Sequence, residues 1–149
     1  PRPCARTVAD VRRLGAWLAA RSIDWTIIRG NHDRALIGLP GRPLELTPEL
    51  TLAGWTIQHG DRAPTGERIV MGHYHPTLRA GSFPAPCFLA GPSLLVLPAF
   101  SGNAAGLDVA TARTPDFWRG AGLRCLASAG SEVLDFGPLD TLPARIKSM

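Results

Sequence analysis

The chain has 149 residues, 45% of them hydrophobic, a formal net charge of +4 and an isoelectric point near 9.6. That length is enough for one domain with a real core, and no run approaches the ~18 apolar residues that a membrane span needs. Cys4, Cys87 and Cys125 lie far apart without CxxC spacing, which excludes a disulfide framework or a zinc finger and makes a reducing cytoplasm the expected compartment.

In chain order, Thr7 to Arg21 is predicted as an amphipathic helix. Thr7 is its N-cap with Asp10 three residues on, and Val8, Val11, Leu14 and Leu18 form its apolar stripe. Ile23 to Ile28, β-branched and aromatic, reads as a buried strand that ends in Gly30-Asn31-His32-Asp33. Residues 34 to 50 contain two glycines and three prolines and are expected as an irregular loop that shapes access to a site. Leu52 to Gln58 and Arg68 to Met71 are predicted strands ending in His59-Gly60-Asp61 and Gly72-His73-Tyr74-His75-Pro76. Cys87 to Ala90, Leu94 to Leu97, Leu123 to Ala127 and Val133 to Phe136 supply later strands, expected as a second sheet packed on the first. Gly137 to Met149 is expected as a frayed tail.

All four histidines fall in the three strand-end motifs. A lone buried histidine is usually a hydrogen-bonded core residue. Three clusters that use every histidine point instead to a site, because the carboxyl ends of neighbouring strands converge on one sheet edge. Imidazole with Asn and Asp oxygens beside it is a transition-metal donor set, suited to Mn, Fe, Zn or Co. No histidine pair has the i, i+4 spacing of HExxH. On an extended segment His73 and His75 would share a face and Tyr74 would point into the core. Gly30, Gly60 and Gly72 are expected to permit tight turns. Asp61 reads first as a turn residue. Arg29, Arg62 and Arg79 read first as solvated, with phosphate binding as the alternative. Of the 16 basic residues only Lys147 is a lysine. Genome composition explains such a bias, and bidentate phosphate recognition is compatible with it.

Gly30-Asn31-His32-Asp33, then a strand ending in His59-Gly60, then Gly72-His73-Tyr74-His75-Pro76 resembles the second half of the calcineurin-like metallophosphoesterase pattern. Pro86-Cys87-Phe88-Leu89 and Leu95 to Ser101 resemble a stretch of the DNA-ligase-associated members of that superfamily. The resemblance implies an α/β fold, a four-layer α/β/β/α sandwich, with two divalent metal ions, Mn in the first instance with Fe or Zn as alternatives. It implies Asn31, His59 and His73 as ligands of one metal and His75 of the other. His32 would be the acid that protonates the leaving oxygen, and Asp33 would hold His32. Two such metals generate hydroxide and clamp the attacking and leaving oxygens of a phosphodiester. The implied partners are a phosphodiester substrate such as DNA and ligase-associated repair proteins, with no membrane.

The family's D-x-H and G-D motifs are absent: no histidine precedes His32, and the only earlier acids are Asp10 and Asp24. On this reading residues 1–136 are the C-terminal portion of the domain, truncated at the N-terminus, and the chain alone is expected to be inactive. Other functions left open are a small-molecule phosphodiesterase or phosphatase, and a non-catalytic interaction module. An HNH-type nuclease is less compatible with histidines at strand ends.

Overall fold

The computed structural model describes residues 5–33, 46–80, 83–102, 104, 106–111 and 113–142. The chain divides into two compact units, residues 1–50 and 51–149. Among the described residues, no helix is long and apolar enough to cross a membrane.

In the first unit, helix α1 spans Ala5–Ala19. Thr7 therefore lies within the helix rather than at its N-cap. Val11 and Leu18 are half-buried and Leu14 is exposed, while the side chain of Val8 lies outside the described set. At the end of the helix, the Arg21 guanidinium stacks over the Trp17 ring at 4.0 Å and donates to the Trp17 carbonyl at 3.1 Å. The strand expected over Ile23 to Ile28 contracts to β1, Ile27–Ile28, which pairs in parallel with β2, Leu46–Thr47. Ile23 and Trp25 are exposed, so the expectation of a buried strand fails there. The Trp25 ring instead approaches α1, 3.4 Å from where a Cβ on Gly15 would stand. Of the expected loop, residues 34–45 lie outside the described residues, and its last residues are strand: β2, then the start of β3, Glu49–Leu52.

The strand expected from Leu52 to Gln58 is a hairpin, because Ala53 and Gly54 take positive φ (51° and 77°) between β3 and β4, Trp55–Gln58. Positive φ at both central residues matches the right-handed twist of the flanking strands. The remaining strands are β5, Ile69–Met71; β6, Pro76–Ala80; β7, Phe83–Ala90; β8, Leu94–Val96; β9, Leu107–Asp108; β10, Arg124–Ala129; and β11, Glu132–Pro138. Their order is β11-β10-β7-β8-β5-β4-β3. Strands β4, β5 and β8 run parallel, in a register that aligns Gln58 with Met71 and Met71 with Val96.

The later strands continue this sheet through β7 instead of forming a separate second one. Residues 87–90 of β7 pair with β10 and, at Leu89 and Ala90, with β8. Residues 83–86 pair with β6, which in turn pairs with β9. Eight residues are long enough to serve two ladders in succession. Pro84 and Pro86 stand in the half of β7 that pairs on one side with β6, where their spacing of two keeps both out of the hydrogen-bonding positions.

The core of this unit lies on that sheet. Strand β5 buries Ile69 and Met71, β8 buries Leu94 and Val96, and β7 and β10 bury Cys87, Leu89, Cys125 and Ala127. Each such aliphatic side chain contributes about 1.5–3 kcal/mol on leaving water. Trp118, from a 3-10 turn at Asp116–Trp118, is fully buried against them. The expected frayed tail begins later than Gly137. Gly137 and Pro138 complete β11, and Leu139 and Leu142 are 6% and 1% exposed, so apolar burial holds the chain as far as Leu142. Residues 143–149 of that tail lie outside the described residues.

Candidate metal centre

Parallel pairing of β4 with β5 brings His59 and His73 to the same edge, since each follows the carboxyl end of its strand. Backbone bonds lock the two loops together: the His59 carbonyl accepts from the Gly72 and His73 N–H groups at 3.2 and 3.0 Å. One strand over, the Leu97 N–H donates to the Met71 carbonyl at 2.7 Å, where the chain leaves β8. Gly60 has φ of +97°, and a Cβ there would stand 3.0 Å from the Met71 Cβ, so this turn requires glycine. Gly72 has neither a positive φ nor an atom within 4 Å of a Cβ position, so the same reason does not extend to it.

The two imidazoles meet at this edge. His73 Nδ1 lies 3.1 Å from His59 Nε2, with the rings 5.0 Å apart and inclined at 71°. In the absence of an ion, one nitrogen donates and the other accepts. The same spacing also fits two ligands of one cation: at metal–nitrogen distances of about 2.1 Å, nitrogens 3.1 Å apart subtend roughly 95° at the ion, between octahedral and tetrahedral angles. Behind the pair, Tyr74 packs on His73 at 5.1 Å, on Phe117 at 5.9 Å and on Trp118 at 5.3 Å, each edge to face. Tyr74 is half-buried and packs against the core, the side on which the sequence placed it.

His75 departs from the expected geometry. Residues 72–75 form a turn closed by the His75 N–H on the Gly72 carbonyl at 3.1 Å, and His75 takes φ of +50°. Strand parity therefore does not decide where its ring points. Its carbonyl accepts from the Leu107 N–H at 3.1 Å and from Thr77 Oγ1 at 3.2 Å. Gly106 makes this possible: with φ of +66°, a Cβ there would collide with Thr77 Oγ1 and stand 2.6 Å from the His75 carbonyl oxygen. Neither Thr77 nor Gly106 was singled out from the sequence, because their role is to hold a backbone carbonyl. Among the described residues, no three or more His, Cys, Asp or Glu side chains gather in one place, so His75 does not join the His59–His73 pair.

Asn31, His32 and Asp33 belong to the first unit. Asn31 and His32 are exposed. Asp33 Oδ2 accepts from the Gly30 N–H at 2.8 Å, and the Asp33 N–H donates to the Gly30 carbonyl at 3.2 Å. The carboxylate expected to hold the His32 ring thus closes the turn that displays it. Asp61, Arg29, Arg62 and Arg79 are exposed.

No protein-family model matches the chain, and no curated protein matches it. Among solved structures it is similar to the Pseudomonas putida nuclease MPE, with a TM-score of 0.64 and 25% identity. The likeness covers 89% of this chain and 62% of that one, so the chain spans less than two thirds of the nuclease it resembles. The mixed α/β architecture is consistent with a nuclease-like fold.

Proposed function

We propose that this chain belongs to a metal-dependent phosphoesterase that cleaves phosphodiesters, with a nucleic acid as substrate. The observation that supports this most is the His59–His73 pair, 3.1 Å apart at the carboxyl edge of parallel strands. The likeness to a nuclease, and motifs resembling those of calcineurin-like phosphoesterases, point the same way. A divalent ion held by the two imidazoles would supply Lewis acidity toward a phosphoryl oxygen. The resemblance adds Asn31 to this ion and His75 to a second, Mn in the first instance, in a four-layer sandwich. His32, exposed on its turn, would donate a proton from its imidazolium to the leaving oxygen. Asp33, by holding the Gly30 N–H, fixes the turn that presents His32 and Asn31. Association with DNA ligase and a role in repair belong to the same proposal.

Replacing His73 with Ala tests it. Metal affinity measured by calorimetry with Mn or Zn is expected to fall about 10-fold or more, the scale seen even for loss of groups that only orient ligands. Unchanged affinity and stoichiometry in the variant would remove the metal assignment.

A further inference from the structure

Among the described residues, Ser22, Ala53 and His75 are the non-glycine residues with positive φ. Ser22 and Ala53 sit in exposed turns, and His75 alone belongs to a histidine motif. Its φ of +50° lies in the left-handed region, where an L side chain crowds the following carbonyl. Pro76 adds to the strain, because a proline ring drives the residue before it toward extended conformations. Such a posture persists only where the surroundings over-determine it, and strained residues of this kind cluster at functional sites. The surroundings here do so. The His75 N–H closes its turn on the Gly72 carbonyl at 3.1 Å, and the His75 carbonyl accepts from the Leu107 N–H at 3.1 Å and from Thr77 Oγ1 at 3.2 Å. Pro76 is fully buried, and β6 is held on β9 by the Pro76–Leu107 and Thr77–Asp108 register and by the Val109 N–H on the Thr77 carbonyl at 3.0 Å. Thr77 is the one polar residue in the buried set among the described residues, and its hydroxyl is directed at the His75 carbonyl. Gly106 leaves room for that hydroxyl, which a Cβ would strike.

Backbone posture decides where a side chain leaves the chain. On an extended segment His73 and His75, two residues apart, would present both rings on one face. In the left-handed conformation the Cα–Cβ bond of His75 leaves in another direction, and His75 does not gather with His59 and His73. We propose that Thr77 and Gly106 are positioning residues for His75. They clamp its carbonyl, hold the strained backbone and so fix the imidazole apart from the His59–His73 pair. That this imidazole then serves a second divalent ion rests on the phosphoesterase reading. A ligand held by its own backbone meets an ion without first being ordered, which is what groups behind a ligand contribute to affinity.

The clamp is tested first by NMR on the metal-free protein, where a residue with positive φ shows a strong NOE between its own amide and Hα protons. Thr77→Val, which puts a methyl group in place of the hydroxyl, is expected to weaken that NOE at His75 and broaden its ring signals, and Thr77→Ser to restore both. A pair of variants at His75 reads the strain itself. His75→Gly should unfold at a higher denaturant concentration than His75→Ala, because glycine takes this φ freely. Calorimetry with Mn then reads the position. Thr77→Val is expected to weaken the second ion about 10-fold and Thr77→Ser to recover it, with the ion of the His59–His73 pair unchanged. An unchanged His75 NOE in Thr77→Val, or equal midpoints for the two His75 variants, would overturn the proposal. So would equal weakening of both ions, which would make Thr77 a general support of the sheet. The two readings fail separately. A Thr77-dependent NOE in a protein that takes up no Mn removes the phosphoesterase and keeps the clamp. Two Mn ions bound equally well by the unaltered protein and by Thr77→Val do the reverse.

Discussion

The strand-end motifs are held in two different ways. His73 follows β5, which buries Ile69 and Met71 beside Leu94 and Val96 of β8; His59 follows the half-buried β4, paired in parallel with β5, and Tyr74 ties the His73 loop to Trp118. Asn31 and His32 follow a two-residue strand in a unit where, among the described residues, no hydrophobic side chain is fully buried. Hydrogen bonds between Asp33 and Gly30 close their turn. The histidine pair is positioned beside a core, and the candidate acid on a turn that Asp33 helps close. Rigid placement suits groups that must match the angle at an ion, whereas a general acid needs only reach and a proton.

That contrast breaks first at Trp118. Trp118→Ala removes the largest fully buried side chain and is expected to cost about 3–5 kcal/mol of stability in chemical denaturation. Tyr74 loses its main support in the same variant, so His73 should also lose order. Line-broadening of the His59 and His73 ring signals by NMR, with His32 unaffected, is the expected signature. A variant that melts early yet keeps both ring signals sharp would show that the loop is held by its backbone bonds alone.

The residue patterns show why one half of this picture was legible and the other was not. Period and composition located β5, β8, β10 and β11 to within a few residues; β5, β8 and β10 bury alternate residues, whereas along β11 only Gly137 is buried and composition alone marked the strand. The convergence of His59 and His73 followed from strand ends in parallel neighbours. Strand β6 was missed because Pro76 and Arg79 break its apolar pattern, and the first half of β7 because Pro84 and Pro86 argue against a central strand. Both are strands because that half of β7 pairs on one side only. Tyr74 was assigned to the core by strand parity, yet residues 72–75 turn. The outcome held because aromatic area seeks burial whichever geometry delivers it. Ala53-Gly54 gave a weak turn signal, since alanine rarely takes positive φ.

Asp33 sharpens the comparison from the other side. With the carboxylate gone in Asp33→Ala, the Gly30 N–H loses its acceptor. Since no buried core depends on that turn, overall stability is expected to fall by about 1 kcal/mol or less, the lower part of the range for lost turn caps. Hydrogen exchange at the Gly30 amide should nonetheless accelerate about 10-fold, and Asp33→Asn, which keeps an acceptor oxygen, should restore most of the protection. Equal exchange in all three proteins would mean that the turn is fixed by its backbone bond.

The smallest expected effect is in the core behind the histidines. Cys87 and Cys125 are both 0% exposed, on adjacent strands, in a register that sets them diagonally across β7 and β10. The hydrogen bond with Cys125, followed by burial, pushes the Cys87 thiol well above its ordinary pKa. The same bond draws the Cys125 thiol below its ordinary value, so Cys125 is shielded by its enclosure alone, whereas Cys87 is both protonated and enclosed. Iodoacetamide at mildly alkaline pH is therefore expected to leave both cysteines unmodified in the native protein and to alkylate both in denaturant, as mapped by mass spectrometry of the peptides. If either were labelled natively while the His59 and His73 signals stayed sharp, this part of the sheet would open without disturbing the histidine edge. The edge would then owe its order to β4, β5 and β8 alone.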